Sequence, residues 1–179
     1  MDTGKMEGDL RTVTRGELLD PPGDATFRRL LYDLFAFGRR LDDVRDRFAQ
    51  FLGLSQPEYL ILIVVSQVDP DSDIGVAQVA QHLHLSGAFV TIEVGKLVKK
   101  GLLQKLPHET DRRRVRLIAT PCGLARLRTL AAIQRAVNDA LFASLSREDF
   151  ENLSAIMRSL ARGADKAVHL AEHLTAHGE

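Results

Sequence analysis

Between positions 96 and 116 the sequence carries eight cationic side chains, Lys96, Lys99, Lys100, Lys105, Arg112, Arg113, Arg114 and Arg116, against two acids, Glu109 and Asp111. The whole 179-residue chain has a formal net charge of +0, so this excess of six is local. Clustered Lys and Arg attract phosphates, and a basic patch of this density is the electrostatic footprint of a protein that holds a nucleic-acid backbone. Bond-breaking chemistry has no comparable signal. No nucleophile stands with a base, no glycine loop is arranged to cradle phosphate, and no carboxylates are paired at a recognisable spacing. The expectation is a binding protein that is not an enzyme and needs no cofactor.

Two smaller features could do chemistry. His169, Glu172 and His173 form an H-x-x-E-H pattern, and helical spacing puts His169, His173 and His177 on one face, where a metal could bridge the first two. The sequence after His173 supplies no usual third ligand, so solvated helix-end histidines are the expectation, with a metal-sensing site as the weaker alternative. Cys122, the only cysteine, falls at a helix start where backbone N–H groups favour a thiolate. A redox switch there competes with the commoner role of a small buried hydrophobe.

The basic stretch needs elements to position it. Val79, Ala80, Leu83, Leu85, Val90, Val94 and Leu97 recur at helical steps on either side of Leu85 and Ser86, predicting two short helices that each have one apolar face. Ser86 caps the second by accepting a hydrogen bond from its first turn. Lys99, Lys100 and Gly101 end it, with cations at the negative pole and a glycine to leave by. Residues 102–106 and 114–119 then read as two strands around a polar turn. Helix, turn, helix and basic hairpin in this order describe a winged helix-turn-helix, whose second helix enters the major groove while the wing reaches an adjacent minor groove. Ser86, Ala88, Phe89, Thr91, Ile92 and Lys96 are the predicted base-facing residues, and Arg112 and Arg113 the predicted wing-tip contacts. Arg114 and Arg116 alternate onto one strand face toward phosphate. Gly87, Ala88, Phe89 and Ile92 can touch thymine methyls but cannot donate to guanine, so backbone charge and DNA shape carry more of the readout.

At this point the chain resembles the MarR family of bacterial transcription regulators. The resemblance rests on Ser55-Gln-Pro-Glu58 opening a helix, Val76-Ala-Gln-Val-Ala-Gln-His-Leu83, Val90 and Thr91 with Lys96, Leu97, Lys100, Gly101 and Leu102, and Asp111-Arg-Arg113 followed by Leu117-Ile-Ala-Thr120 and Gly123. It spans residues 27–170. It implies a homodimer bound to double-stranded DNA at a palindromic operator. It also implies a repressor released by a small effector, such as an aromatic acid or a related thioester, with Phe35, Arg39, Tyr59 and Ile63 as candidate lining. In this family the acid at the position of Asp111 orients a wing arginine. His84 replaces the usual turn glycine where a positive φ is needed, and Glu93 replaces an apolar residue, which calls for a rotated helix or a neighbouring cation. Metal- or redox-responsive regulation, and a winged-helix module for protein or RNA, are the alternatives.

The remainder supplies a frame. At 45% hydrophobic and 27% charged, the chain can bury one ordinary core, and a lone cysteine suits a reducing cytoplasm. No apolar run approaches a membrane span and the first ten residues are not a secretory signal. Residues 1–23 read as a flexible arm. Phe27, Leu30, Leu34, Phe37, Leu41, Val44, Phe48 and Phe51 form a heptad seam on a helix about 37 Å long, too long for one small domain to cover. The run 60–65 is β-prone, but the S-x-x-E cap before it favours helix. Residues 74–76 could add a strand beside the wing. Thr120 with Pro121, and Ser146 with Asp149, open two further helices. The fold class is therefore mainly α, with a two-stranded β wing in a lobe at 55–120 and a helical dimerisation frame from 24–54 and 121–179.

Overall fold

Ser55 accepts the backbone N–H of Glu58 at 3.3 Å while the Glu58 carboxylate accepts the N–H of Ser55 at 2.8 Å, so two donors with no partner in the helix are satisfied together. A helix starts there with proline in its first turn, where the missing N–H removes no bond. This settles residues 60–65 as helical, with Ile61, Leu62 and Val65 buried on one side.

The computed structural model describes residues 10–20, 23–68, 74–107 and 115–177. In chain order it contains α1 (Ala25–Phe51), α2 (Gln56–Gln67), α3 (Val76–Leu83), α4 (Gly87–Lys99), β1 (Leu103–Pro107), β2 (Val115–Ala119), α5 (Pro121–Leu141) and α6 (Arg147–His177). The mainly helical class with a two-stranded wing is as expected. The chain divides into two compact units, residues 1–131 and 132–179.

In the first unit α2 is central, packing on α1, α3, α4 and β2. Ile61, Leu62, Val79, Val90, Val94 and Leu97 are fully buried, each removing enough apolar surface from water to contribute about 1.5–3 kcal/mol. Tyr59 joins this core edge-on to Phe48, with ring centroids 6.3 Å apart. Gly123, in the first turn of α5, sits so close to the end of α4 that an added Cβ would lie 2.3 Å from the Leu102 carbonyl oxygen.

β1 and β2 are antiparallel, with Leu103 opposite Ala119 and Pro107 opposite Val115. The first strand begins one residue later than the sequence indicates, because the N–H of Leu102 donates to Leu97 at 2.9 Å and belongs to the helix exit. Gly101, at φ 71°, makes that exit. No third strand joins them among the described residues. The Ile74 carbonyl accepts one bond from Leu117 at 2.8 Å, but the next N–H, of Gly75, turns to the Gln78 side chain at 3.1 Å and starts α3 instead.

Ahead of α1, the backbone N–H and the hydroxyl of Thr12 donate to Asp24 at 2.6 and 2.8 Å, folding residues 10–20 back onto the helix start. The heptad seam along α1 is unevenly covered. Phe48 is buried at its end, whereas Leu30, Leu34 and Phe37 are 51%, 38% and 40% exposed. Phe51, expected to continue the seam, is exposed.

The second unit holds the end of α5 and all of α6. Ser146 and Asp149 cap α6 reciprocally, at 3.1 and 3.0 Å. None of its residues whose side chains are described is buried, and Phe150, Leu153, Ile156, Leu160 and Leu174 stand open to solvent. No single helix among the described residues is long and apolar enough to cross a membrane.

Candidate nucleic-acid interface

The turn between α3 and α4 is closed by His84, at φ 52° and ψ 42°, with the N–H of Leu85 donating to Ala80 at 2.9 Å. The expected positive φ is present, and histidine occupies a left-handed position that branched residues avoid. Ser86 then caps α4 as anticipated, its hydroxyl oxygen accepting from the N–H of Phe89 at 3.2 Å.

α4 buries Val90, Glu93, Val94 and Leu97. Its outer surface carries Gly87, Ala88, Phe89, Thr91, Ile92 and Lys96, so the predicted base-facing residues do share the exposed side. Their chemistry is more apolar than their types suggest. The Thr91 hydroxyl donates back to the Gly87 carbonyl at 2.8 Å. The Lys96 ammonium lies 2.7 Å from Glu93, whose side chain is only 5% exposed. That hydrogen bond raises the lysine's pKa and keeps it charged. Glu93 therefore takes the neighbouring cation, one of the two outcomes its position calls for.

A second buried carboxylate ties this helix down. Lys100 reaches across to Glu58, 2.7 Å away, so one carboxylate both caps α2 and holds the end of α4. Burial pushes the Glu58 carboxyl up, but the hydrogen bonds from Lys100 and Ser55 outweigh it and leave the pKa below its ordinary value. The basic excess counted over 96–116 is thereby a smaller surface excess. Lys96 and Lys100 are neutralised by acids lying before that window, and Lys99 and Lys105 remain exposed beside a half-buried Arg116. Glu93 is legible at i, i+3 from Lys96; Glu58, far away in sequence, has no local signal.

The predicted wing contacts Arg112, Arg113 and Arg114, with Asp111, lie outside the described residues. Of the proposed effector residues, Tyr59 is buried at 3% exposure, with burial raising its pKa, Phe35 is exposed, and Arg39 pairs with Asp43 at 3.3 Å. None of the four lines the open groove of about 580 Å³ bordered by Phe51, Leu52, Cys122, Arg126 and Thr129. Arg126 donates to the Leu52 carbonyl at its edge, at 2.8 Å. Cys122 is exposed there, so the expectation of a buried hydrophobe does not hold. Among the described residues no group of three or more His, Cys, Asp or Glu could hold a metal ion, and His169 instead faces Glu172 at 3.4 Å.

Residues 52–114 match the MarR family. No match is found among curated proteins. AbsC, a MarR family transcriptional regulator from Streptomyces coelicolor, is similar in structure at a TM-score of 0.67 and 22% identity, over 86% of this chain and 99% of that one. A MarR/EmrR family transcriptional regulator from Acinetobacter sp. ADP1 gives 0.66 and 20%, over 78% and 96%. The M. tuberculosis transcriptional regulator MOSR, solved in complex with DNA, gives 0.59 and 20%, over 76% and 96%. At these identities the likeness is one of fold.

Proposed function

We propose that this chain, whose winged helix-turn-helix belongs to the MarR family of transcriptional regulators, is a homodimeric repressor that binds a palindromic operator and leaves it when a small molecule binds. The observation that carries the DNA reading is α4 itself. It is capped by Ser86, anchored from beneath through Lys100 and Glu58, and turns a continuous exposed face outward ahead of a basic hairpin. This geometry suits insertion into a major groove, with the exposed Lys99 and Lys105 available for phosphate. That MOSR, similar in fold, was solved in complex with DNA supports DNA as the partner.

Two sets of exposed apolar side chains support the homodimer, Leu30, Leu34 and Phe37 on α1 and Leu153, Ile156 and Leu160 on α6. Rows of this size are unfavourable in water, and a second copy would cover them. Two lobes related by a twofold axis would meet half-sites about 34 Å apart. An aromatic carboxylate or thioester effector would act by binding one lobe spacing more tightly than the DNA-competent one. The groove beside Phe51 and Arg126, with an aromatic ring and a guanidinium, supports such a ligand, alongside the candidates Phe35, Arg39, Tyr59 and Ile63.

Selection from a random duplex pool tests the proposal. An inverted repeat bound by two chains, in sedimentation of the complex, is the expected result. Recovery of no preferred duplex would overturn it.

A further inference from the structure

We propose that α4 reads the C5-methyl groups of thymines in the major groove and leaves the hydrogen-bonding edges of the bases unread. The inference rests on the DNA-binding assignment above and names what that same surface recognises.

Past the Ser86 cap, the donors that could read a base edge are tied back to their own helix. Over the first turns of α4 the polar side chains are Thr91 and Glu93. The Thr91 hydroxyl donates to Gly87, and the Glu93 carboxylate is buried and holds Lys96. Guanine is read by Arg or Lys and adenine by Asn or Gln, and no such side chain stands free on this part of the helix. Pulling Lys96 outward toward guanine would strip Glu93 of its cation, with its Oε2 atom already lacking a hydrogen-bond partner among the described residues. A buried carboxylate left without its cation is strongly unfavourable, so the lysine stays where it is.

The outward surface is correspondingly apolar. Phe89 and Ile92 are 38% and 60% exposed, and Ala88, Ile92 and Gly95 extend the same stripe at helical spacing. Positions three apart rise about 4.5 Å along the axis, comparable to the separation of neighbouring bases. Gly87 and Ala88 add almost no bulk at the leading turn, which lets the helix sink close to the base edges. Thymine's methyl is the apolar group that the major groove offers. An apolar protein partner is the competing occupant of such a face. The charge around it favours DNA, because Lys99 and Lys105 are exposed on the same lobe while the nearby carboxylates Glu58 and Glu93 are buried.

The test begins with the full-length protein and a random duplex pool, followed by resynthesis of the preferred duplex with uracil replacing thymine one position at a time. This change removes only the methyl. Each contacted thymine should bind about fourfold more weakly as uracil, the effect of one methyl-sized group leaving an apolar contact. Ile92→Ala, an exposed position whose truncation leaves the core intact, should abolish the discrimination at its own base pairs. Equal binding of thymine and uracil duplexes at every position would overturn the methyl reading alone. A pool with no preferred duplex would instead overturn the DNA-binding assignment on which it rests.

Discussion

The ammonium of Lys96 meets the carboxylate of Glu93 at 2.7 Å, one turn earlier on the same helix, with the acid buried and the base at the surface. In the proposed DNA complex this pair would withhold from phosphate a lysine in the last turn of α4. Glu93→Gln keeps the shape and removes the charge. It should release Lys96, raise affinity for unrelated duplexes severalfold and steepen the dependence of log K on log salt by about 0.9, the contribution of one phosphate contact. Fluorescence anisotropy over a salt series measures both quantities, and an unchanged slope would show that Lys96 has no phosphate within reach.

Glu58 provides a pH signature. Its pKa is lowered in the folded chain, so its contribution to stability is complete above the ordinary carboxylate range and is lost as pH falls through the lowered value. Lys100→Ala removes a charge-assisted hydrogen bond and should cost about 2 kcal/mol at neutral pH. With the lysine gone, burial dominates and the pKa of Glu58 moves up. Acidification should then narrow the gap between variant and parent, where a purely packing effect would leave it constant. Urea unfolding at several pH values distinguishes the two.

Glycine substitutions separate close approach from open space. Gly123→Ala puts a methyl against the Leu102 carbonyl oxygen, where backbone cannot yield cheaply. It should destabilise by about 3 kcal/mol, the upper range for overpacking. Gly95→Ala meets nothing within 4 Å and should stabilise α4 by up to about 1 kcal/mol through helix propensity. Thermal melts should move in opposite directions.

Asp24 holds the segment before α1. The backbone N–H of Thr12, then its hydroxyl, keeps the carboxyl pKa low, so the tether is intact above the ordinary carboxylate range and weakens as pH falls through the lowered value. Asp24→Asn should speed limited proteolysis between Leu10 and Asp20 without altering cleavage elsewhere.

Much of this architecture can be read from one-dimensional signals. The cap at Ser55, the cap at Ser86, the glycine exit at Gly101 and the paired openings at Thr120 and Ser146 are local chemistry, so they place helix boundaries to within a residue or two. The positive φ at His84 is legible because the turn geometry demands it whatever residue is there. What escapes are relations that the fold alone creates. Glu58 serves as an N-terminal cap in the sequence pattern, but its bond to Lys100 exists only because α2 and α4 cross. Counting charge over a window therefore overstates the exposed excess. Thr12 and Asp24 likewise meet through a chain reversal with no periodicity. Tyr59, too, is placed by the fold, entering the core beside Phe48, an outcome that a list of aromatic and cationic types does not decide.

A basic lobe that grips the phosphate backbone of duplex DNA binds with a salt-dependent affinity, which a titration over a salt series measures. Log K should fall linearly with log salt, losing about 0.9 per phosphate contact, and Arg113→Ala should lower the slope by about one. Binding that is indifferent to salt, or absent even in dilute buffer, would contradict it.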